Sequence, residues 1–311
     1  MKLAFFGTPE AGVPYLRQLA QEHEIVAVVT QPDAPQGRGR QLTPSPVKEE
    51  ALRLSLPVLQ PRRVKAEQFC AREELQAAEL IVVVAYGQIL PAELCATQQR
   101  PALNVHYSLL PDLRGAAPVQ RALLEGRKRT GITVQYVAQE LDAGDVILQR
   151  EIEIAPEDDT GSLLEKLAVA GVPALSEALR ELERGEAPRQ PQEHARATWA
   201  PPLRPEEAAV SWNQPAQLIV NQIRAFSPYP GAYCHYLDHR LKLFRPKWVA
   251  HDLQEEKPGQ IVNLSAAGLT VQAETGGVLV GEVQPQGKRR MSAADFARGA
   301  RLGVGARLED G

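Results

Sequence analysis

Asn104-Val105-His106 sets an amide and an imidazole two residues apart, directly after the apolar run Pro101-Ala102-Leu103. On an extended strand, residues two apart point to the same side, so both groups can face one pocket at the mouth of a sheet. An amide N–H can steady a developing oxyanion, and an imidazole can move protons near neutrality. Downstream, Leu141-Asp142-Ala143-Gly144-Asp145 brings a carboxylate in a glycine-containing turn, and Asp142 there can orient or charge-balance the imidazole. Asp145 is the rival carboxylate, with capping the turn as its more ordinary work. The set contains no Ser or Cys nucleophile, so it suits transfer to an external amine better than a covalent acyl-enzyme. On its own an Asn-x-His pair is usually a turn or a satisfied surface histidine; the surrounding elements must decide.

Those elements have an α/β rhythm. Lys2–Phe6, Glu24–Thr30 and Leu80–Val84 are apolar runs with helical stretches between them, which predicts a mostly parallel sheet whose ligands bind outside the carboxyl ends of the strands. The turn Ala85-Tyr86-Gly87-Gln88-Ile89-Leu90-Pro91 lies at such an end. Gly131–Val137 and Asp145–Gln149 alternate as a hairpin, with Asp142 in the connection, and Thr160–Leu182 has helical spacing. Neither GxGxxG nor GxxxxGK[ST] occurs, so neither a dinucleotide site nor ATP is indicated. The expected division is a domain over 1–186, a Pro-rich linker over 187–208 running across the surface, and a second domain over 209–311. That second domain has one helix, then short β-rich runs that suggest a small barrel.

Composition narrows the class. The chain has 311 residues and 44% hydrophobic residues, enough for two cores. No run approaches a membrane span, and the N-terminus enters a strand-like run without a signal-peptide layout. Cys70, Cys95 and Cys234 and the six histidines make no metal-ligand pattern, so reduced thiols in a cytoplasm and no metal are expected. The net charge is −3, yet residues 209–311 hold twelve Lys and Arg against nine Asp and Glu. Two basic stretches stand out. Gln31–Leu42 is a Gly/Pro-rich loop with Arg38 and Arg40, and Lys288-Arg289-Arg290 precedes a helix with Ser292 as its N-cap. Each is either a solvated surface or a phosphate-contacting element.

The block Asn104-Val-His106-Tyr107-Ser108-Leu109-Leu110-Pro111-Asp112-Leu113-Arg114-Gly115-Ala116-Ala117-Pro118-Val119-Gln120 resembles the signature of the formyltetrahydrofolate-dependent formyltransferases, and the likeness extends over nearly the whole chain, through Ile223–Ala232 and Met291–Gly299. The resemblance implies a Rossmann-like domain followed by an OB-like barrel, with Asn104, His106 and Asp142 as the catalytic trio. It implies that Ser108, Leu109, Leu110 and Pro111, with Gln88 and Leu90, hold 10-formyltetrahydrofolate as formyl donor, with no metal. It also implies an acceptor, the α-amine of methionine on initiator Met-tRNA, contacted by Arg38 and Arg40 and by Lys288, Arg289 and Arg290, and a monomeric enzyme. Two positions depart from the family pattern: Tyr107 replaces the usual Gly or Pro, and Asp112-Leu113 replaces Arg-Trp. Small amine acceptors, hydrolysis of the formyl donor, and a non-catalytic tRNA-binding role are the rivals. The arginine-bearing loop and the barrel speak against the first two, and the intact trio against the third.

Overall fold

The computed structural model describes residues 1–36, 41–65, 67–91, 94, 96–97, 100–250 and 256–311. Strands β1 (Lys2–Gly7), β2 (Glu24–Val29), β5 (Val58–Leu59), β6 (Leu80–Val84), β8 (Arg100–His106), β9 (Arg129–Tyr136) and β10 (Val146–Glu153) form one sheet in the order β10-β9-β8-β6-β1-β2-β5, with β7 (Ala96–Thr97) beside β8; β3 (Ala34–Gln36) and β4 (Gln41–Thr43) pair separately. The strands from β8 to β5 are mutually parallel, and β9 and β10 add an antiparallel edge. The parallel strands are apolar throughout because both their faces are covered: Phe5, Phe6, Val28, Val29, Ile81 and Val82 are fully buried. Between β1 and β2 runs α1 (Val13–Glu22), which opens on Pro14 and buries Tyr15, Leu16 and Leu19. Helix α2 (Pro46–Arg53) starts under a Ser45 cap whose side chain accepts from Lys48 N. Two short helices follow, α3 (Glu67–Cys70) and α4 (Glu73–Gln76).

The register places the site. Val83 on β6 pairs with Asn104 on β8, and Asn104 and His106 pair with Gln135 and Thr133 on β9. The carboxyl ends of β6 and β8 thus lie side by side, where an open α/β sheet binds its ligands.

The chain falls into two compact units. One comprises Met1–Pro118, Arg129–Glu153 and Leu164–Pro201; the other comprises Val119–Lys128, Ile154–Leu163 and Pro202–Gly311. These cut across the boundaries expected at 186 and 209, for two reasons. The Pro-rich stretch up to Pro201 pairs by backbone rather than running free: Arg114 N donates to Thr198 O at 2.9 Å, Ala200 N to Arg114 O at 2.7 Å, and Val146 and Gln190 exchange bonds of 2.8 and 3.0 Å. Within the second unit, the buried Arg224 on α5 (Ala216–Phe226) donates to the carbonyls of Asp158 and Ala155 at 2.6 and 2.8 Å, and Thr160 donates to Ala225 O at 2.7 Å.

The second unit also holds an antiparallel sheet of β11 (Tyr233–Tyr236), β12 (His239–Val249), β15 (Gly277–Pro285), β14 (Gly268–Gln272) and β13 (Ile261–Ser265), with β16 (Met291–Ser292) on β15. The C-terminal tail joins its two outer strands. Glu309 bridges to His235 on β11, and Ala306 and Gly305 exchange backbone hydrogen bonds with Ile261 on β13. That pairing covers part of each outer edge and accounts for the barrel-like signal of the short strands. Helix α6 (Ala293–Ala300) is capped by Ser292, as expected.

Candidate active site

β8 delivers Asn104 and His106 to the same side, while Val105 between them is buried. His106 is 6% exposed. Its Nε2 lies 2.9 Å from the carbonyl of Leu113, and its Nδ1 faces Asp142 Oδ2 at 3.6 Å. A carbonyl can only accept, so Nε2 carries a hydrogen, and Nδ1 is the ring atom open to proton exchange beside the carboxylate. Asp142 adopts a left-handed backbone, φ 51°. Its Oδ2 accepts from Gly115 N at 2.9 Å, and its Oδ1 from Asn104 Nδ2 at 3.4 Å and Gln135 Nε2 at 3.3 Å. Gly144 permits this turn: a Cβ there would sit 1.7 Å from the carbonyl oxygen of Tyr136. Gly115, at φ 120°, would likewise press a Cβ to 2.8 Å from Ala200 O.

The three side chains share a cavity of about 500 Å³, which Val83, Tyr86, Gln88, Leu90, Leu141 and Tyr107 also line. Gln88 is fixed there, accepting from Val64 N at 3.0 Å and donating to Gln31 Oε1 at 3.2 Å. Burial pushes the hydroxyls of Tyr86 and Tyr107 up to about 12, so neither ionises near neutrality. Tyr107 donates to Ala11 O at 3.3 Å, so the family departure at this position puts an anchored ring in the cavity wall.

Ser108, Leu109, Leu110 and Pro111 follow β8 and are not among the residues that line this cavity. Ser108 and Leu110 are buried, the Ser108 hydroxyl donates to Asp112 O at 2.5 Å, and Thr133 donates to Ser108 O and accepts from Leu110 N. Leu109 lies against Gly131. The turn folds its polar groups onto itself and β9, and its product is the placement of Leu113 O against His106. Asp145 is held by Arg189 at 3.6 Å and takes no part in the trio.

Arg38 and Arg40 lie outside the described residues. Lys288, Arg289 and Arg290 are exposed; Arg290 is also ion-paired with Glu282, and its guanidinium lies 4.0 Å over the ring of Phe244. Reasoning from sequence missed the carbonyl of Leu113, the N–H of Gly115, Gln135 and Gln192. The alternation of β9 could have flagged Gln135; a backbone acceptor and a glutamine in a Pro-rich stretch give no signal.

A family model described as Formyl transferase matches residues 1–179, and one described as Formyl transferase, C-terminal domain, matches residues 202–301. The chain belongs to the formyl transferase family. Curated relatives called methionyl-tRNA formyltransferase include those of Moorella thermoacetica, 46% identical with 96% of each chain covered, and Bacillus subtilis, 42% identical over 98% of this chain and 96% of that one. The formyl transferase fold is also found in solved structures at low identity. One is the methionyl-tRNA formyltransferase of Clostridium thermocellum, with a TM-score of 0.56 and 16% identity over 92% of this chain and 98% of that one. Another is the N-formyltransferase of Helicobacter canadensis in complex with folinic acid and dTDP-3-aminofucose, with a TM-score of 0.67 and 14% identity over 94% of this chain and 100% of that one.

Proposed function

We propose that the chain transfers the formyl group of 10-formyltetrahydrofolate to the α-amino group of methionine on initiator Met-tRNA, in the cytoplasm, where translation begins. The observation that carries this reading is the convergence of Asn104, His106 and Asp142 on one cavity at the carboxyl ends of parallel strands. Curated relatives over 40% identical across nearly the full chain support the acceptor.

The neutral amine attacks the formyl carbon. The new amide C–N bond forms as the bond from the formyl carbon to the folate nitrogen breaks, and the proton lost by the amine ends on that nitrogen. One N–H of Asn104 is directed to Asp142, and the other serves the developing oxyanion, a donor worth roughly 3–4 kcal/mol. His106 exchanges the proton at Nδ1, beside Asp142, because Nε2 is committed to Leu113 O. Gln88, Leu90 and their neighbours on the β6 turn hold the folate ring. Arg38, Arg40, Lys288 and Arg289 contact phosphates of the tRNA, and Arg290 does so only by leaving Glu282.

The direct test is incubation with 10-formyltetrahydrofolate and charged initiator tRNA, scoring formyl-methionine against free formate. Formyl-methionine is expected. Free formate alone would make the chain a hydrolase, and no turnover of either kind would leave it a binding protein.

A further inference from the structure

The segment 190–200 carries two side chains that no family motif quoted above includes. Gln192 is 7% exposed. Its Oε1 accepts from Arg114 Nε and Nη2 at 3.1 and 2.7 Å, and its Nε2 donates to Gln135 Oε1, Asp142 O and Gly144 O at 3.1, 2.9 and 2.8 Å. Thr198 accepts at Oγ1 from Leu113 N at 2.8 Å, and its carbonyl accepts from Arg114 N at 2.9 Å. His106 has two polar neighbours, Leu113 O and Asp142 Oδ2. The segment therefore grips the backbone of both residues against which the imidazole is set. Asp142 needs the grip: its left-handed backbone costs of order 1 kcal/mol or more and persists only where surroundings hold it.

The amide of Gln192 has a fixed sense. Arg114 is 1% exposed, and a guanidinium only donates, so it takes the oxygen of Gln192. That turns the NH₂ toward the two carbonyls of the Asp142 turn. Glutamate at 192 would satisfy Arg114 but oppose two carbonyl oxygens and the Gln135 oxygen with a carboxylate.

We infer that Gln192, assisted by Thr198, is a positioning residue of the active site: it holds the Asp142 turn so that the carboxylate meets His106. This rests on the trio being catalytic, as proposed above. Displacing a reacting group by about 1 Å can cost on the order of 10²-fold, and that is the kcat loss expected for Gln192→Ala and Gln192→Glu in the full-length protein. Melting temperature separates this from unfolding, since the glutamate variant keeps an acceptor for the buried Arg114.

The deciding measurement is a cycle with Asp142→Asn under single-turnover conditions. If Gln192 acts through Asp142, Gln192→Ala costs about 10²-fold alone and less than about 3-fold in the Asp142→Asn background. Full, multiplying losses would overturn the inference, as would a folded Gln192→Glu enzyme with unchanged kcat. His106→Ala is the control beneath both: if it keeps turnover, the catalytic reading falls and the positioning role falls with it. If it abolishes turnover while Gln192 variants work normally, only the positioning role is lost.

Discussion

The two units spend their polar groups in opposite ways. In the first, His106 is buried and Asn104 and Asp142 are partly buried, and Asp142 accepts from a backbone N–H and two side-chain amides, with a third amide on its carbonyl. In the second, the cations assigned to the partner stand in solvent. Lys288 and Arg289 are exposed on the connection between β15 and β16, and the better-held Arg290 is held by Glu282 rather than kept for a ligand. A preorganised, water-poor site stabilises charge that appears only in the transition state. A solvated cationic surface contributes salt-dependent affinity in small equal increments. The first unit should therefore fail abruptly on single substitutions, and the second gradually.

The sharpest break is at His106. His106→Ala is expected to lower kcat by about 10²–10⁴-fold while leaving affinity for tRNA unchanged, measured by separate turnover and binding titrations. An equal loss in both would erase the division of labour. Asn104→Ala comes next, at about 10²–10³-fold in kcat, with little change in the apparent affinity for the folate. A larger effect on folate binding than on kcat would recast the amide as a ligand contact.

Much of the first unit was legible because its signals are local. Alternation brought Asn104 and His106 to one side, and the apolar runs of β1, β2 and β6 specified a buried parallel sheet. What was not legible shares a cause: it concerns residues whose partners are far away in sequence. Gln192 sits among prolines that read as a spacer, and only the register of Arg114 against Thr198 and Ala200 shows the segment packed on the site. In the second unit, the tail's part in the sheet was hidden because Glu309 and Ala306 pair with strands some fifty to seventy residues earlier.

Acid stability tests the comparison on both sides at once, because each unit sets a carboxylate among arginines. Arg53, and then Arg17, bonded to Glu50 at 2.5 and 2.7 Å, hold its carboxyl down at about 2, and Arg121 does the same for Glu207. A lowered folded-state value means that the charged form favours the fold above the ordinary value of 4.5. The contribution declines as pH falls from there toward about 2. Glu50→Gln should thus be less stable than the parent at pH 7 and should approach it near pH 2, by denaturant titration at each pH. A constant gap between the two would mean that Glu50 contributes through packing alone.

The smallest effects belong to the basic connection, where the comparison can be sharpened within three residues. Lys288→Ala and Arg289→Ala should each raise KM for charged tRNA a few-fold, leave kcat unchanged, and lower the slope of log affinity against log salt by about one. Arg290→Ala should behave differently. Its guanidinium is already paired with Glu282, which Arg245 also holds, and laid over Phe244, so its loss removes packing and one ion pair rather than a phosphate contact. A fall in melting temperature with a nearly unchanged salt slope is expected. If Arg290→Ala flattened the slope as much as Arg289→Ala, the ion pair would be no restraint, and position in the sequence would predict tRNA contact better than geometry does.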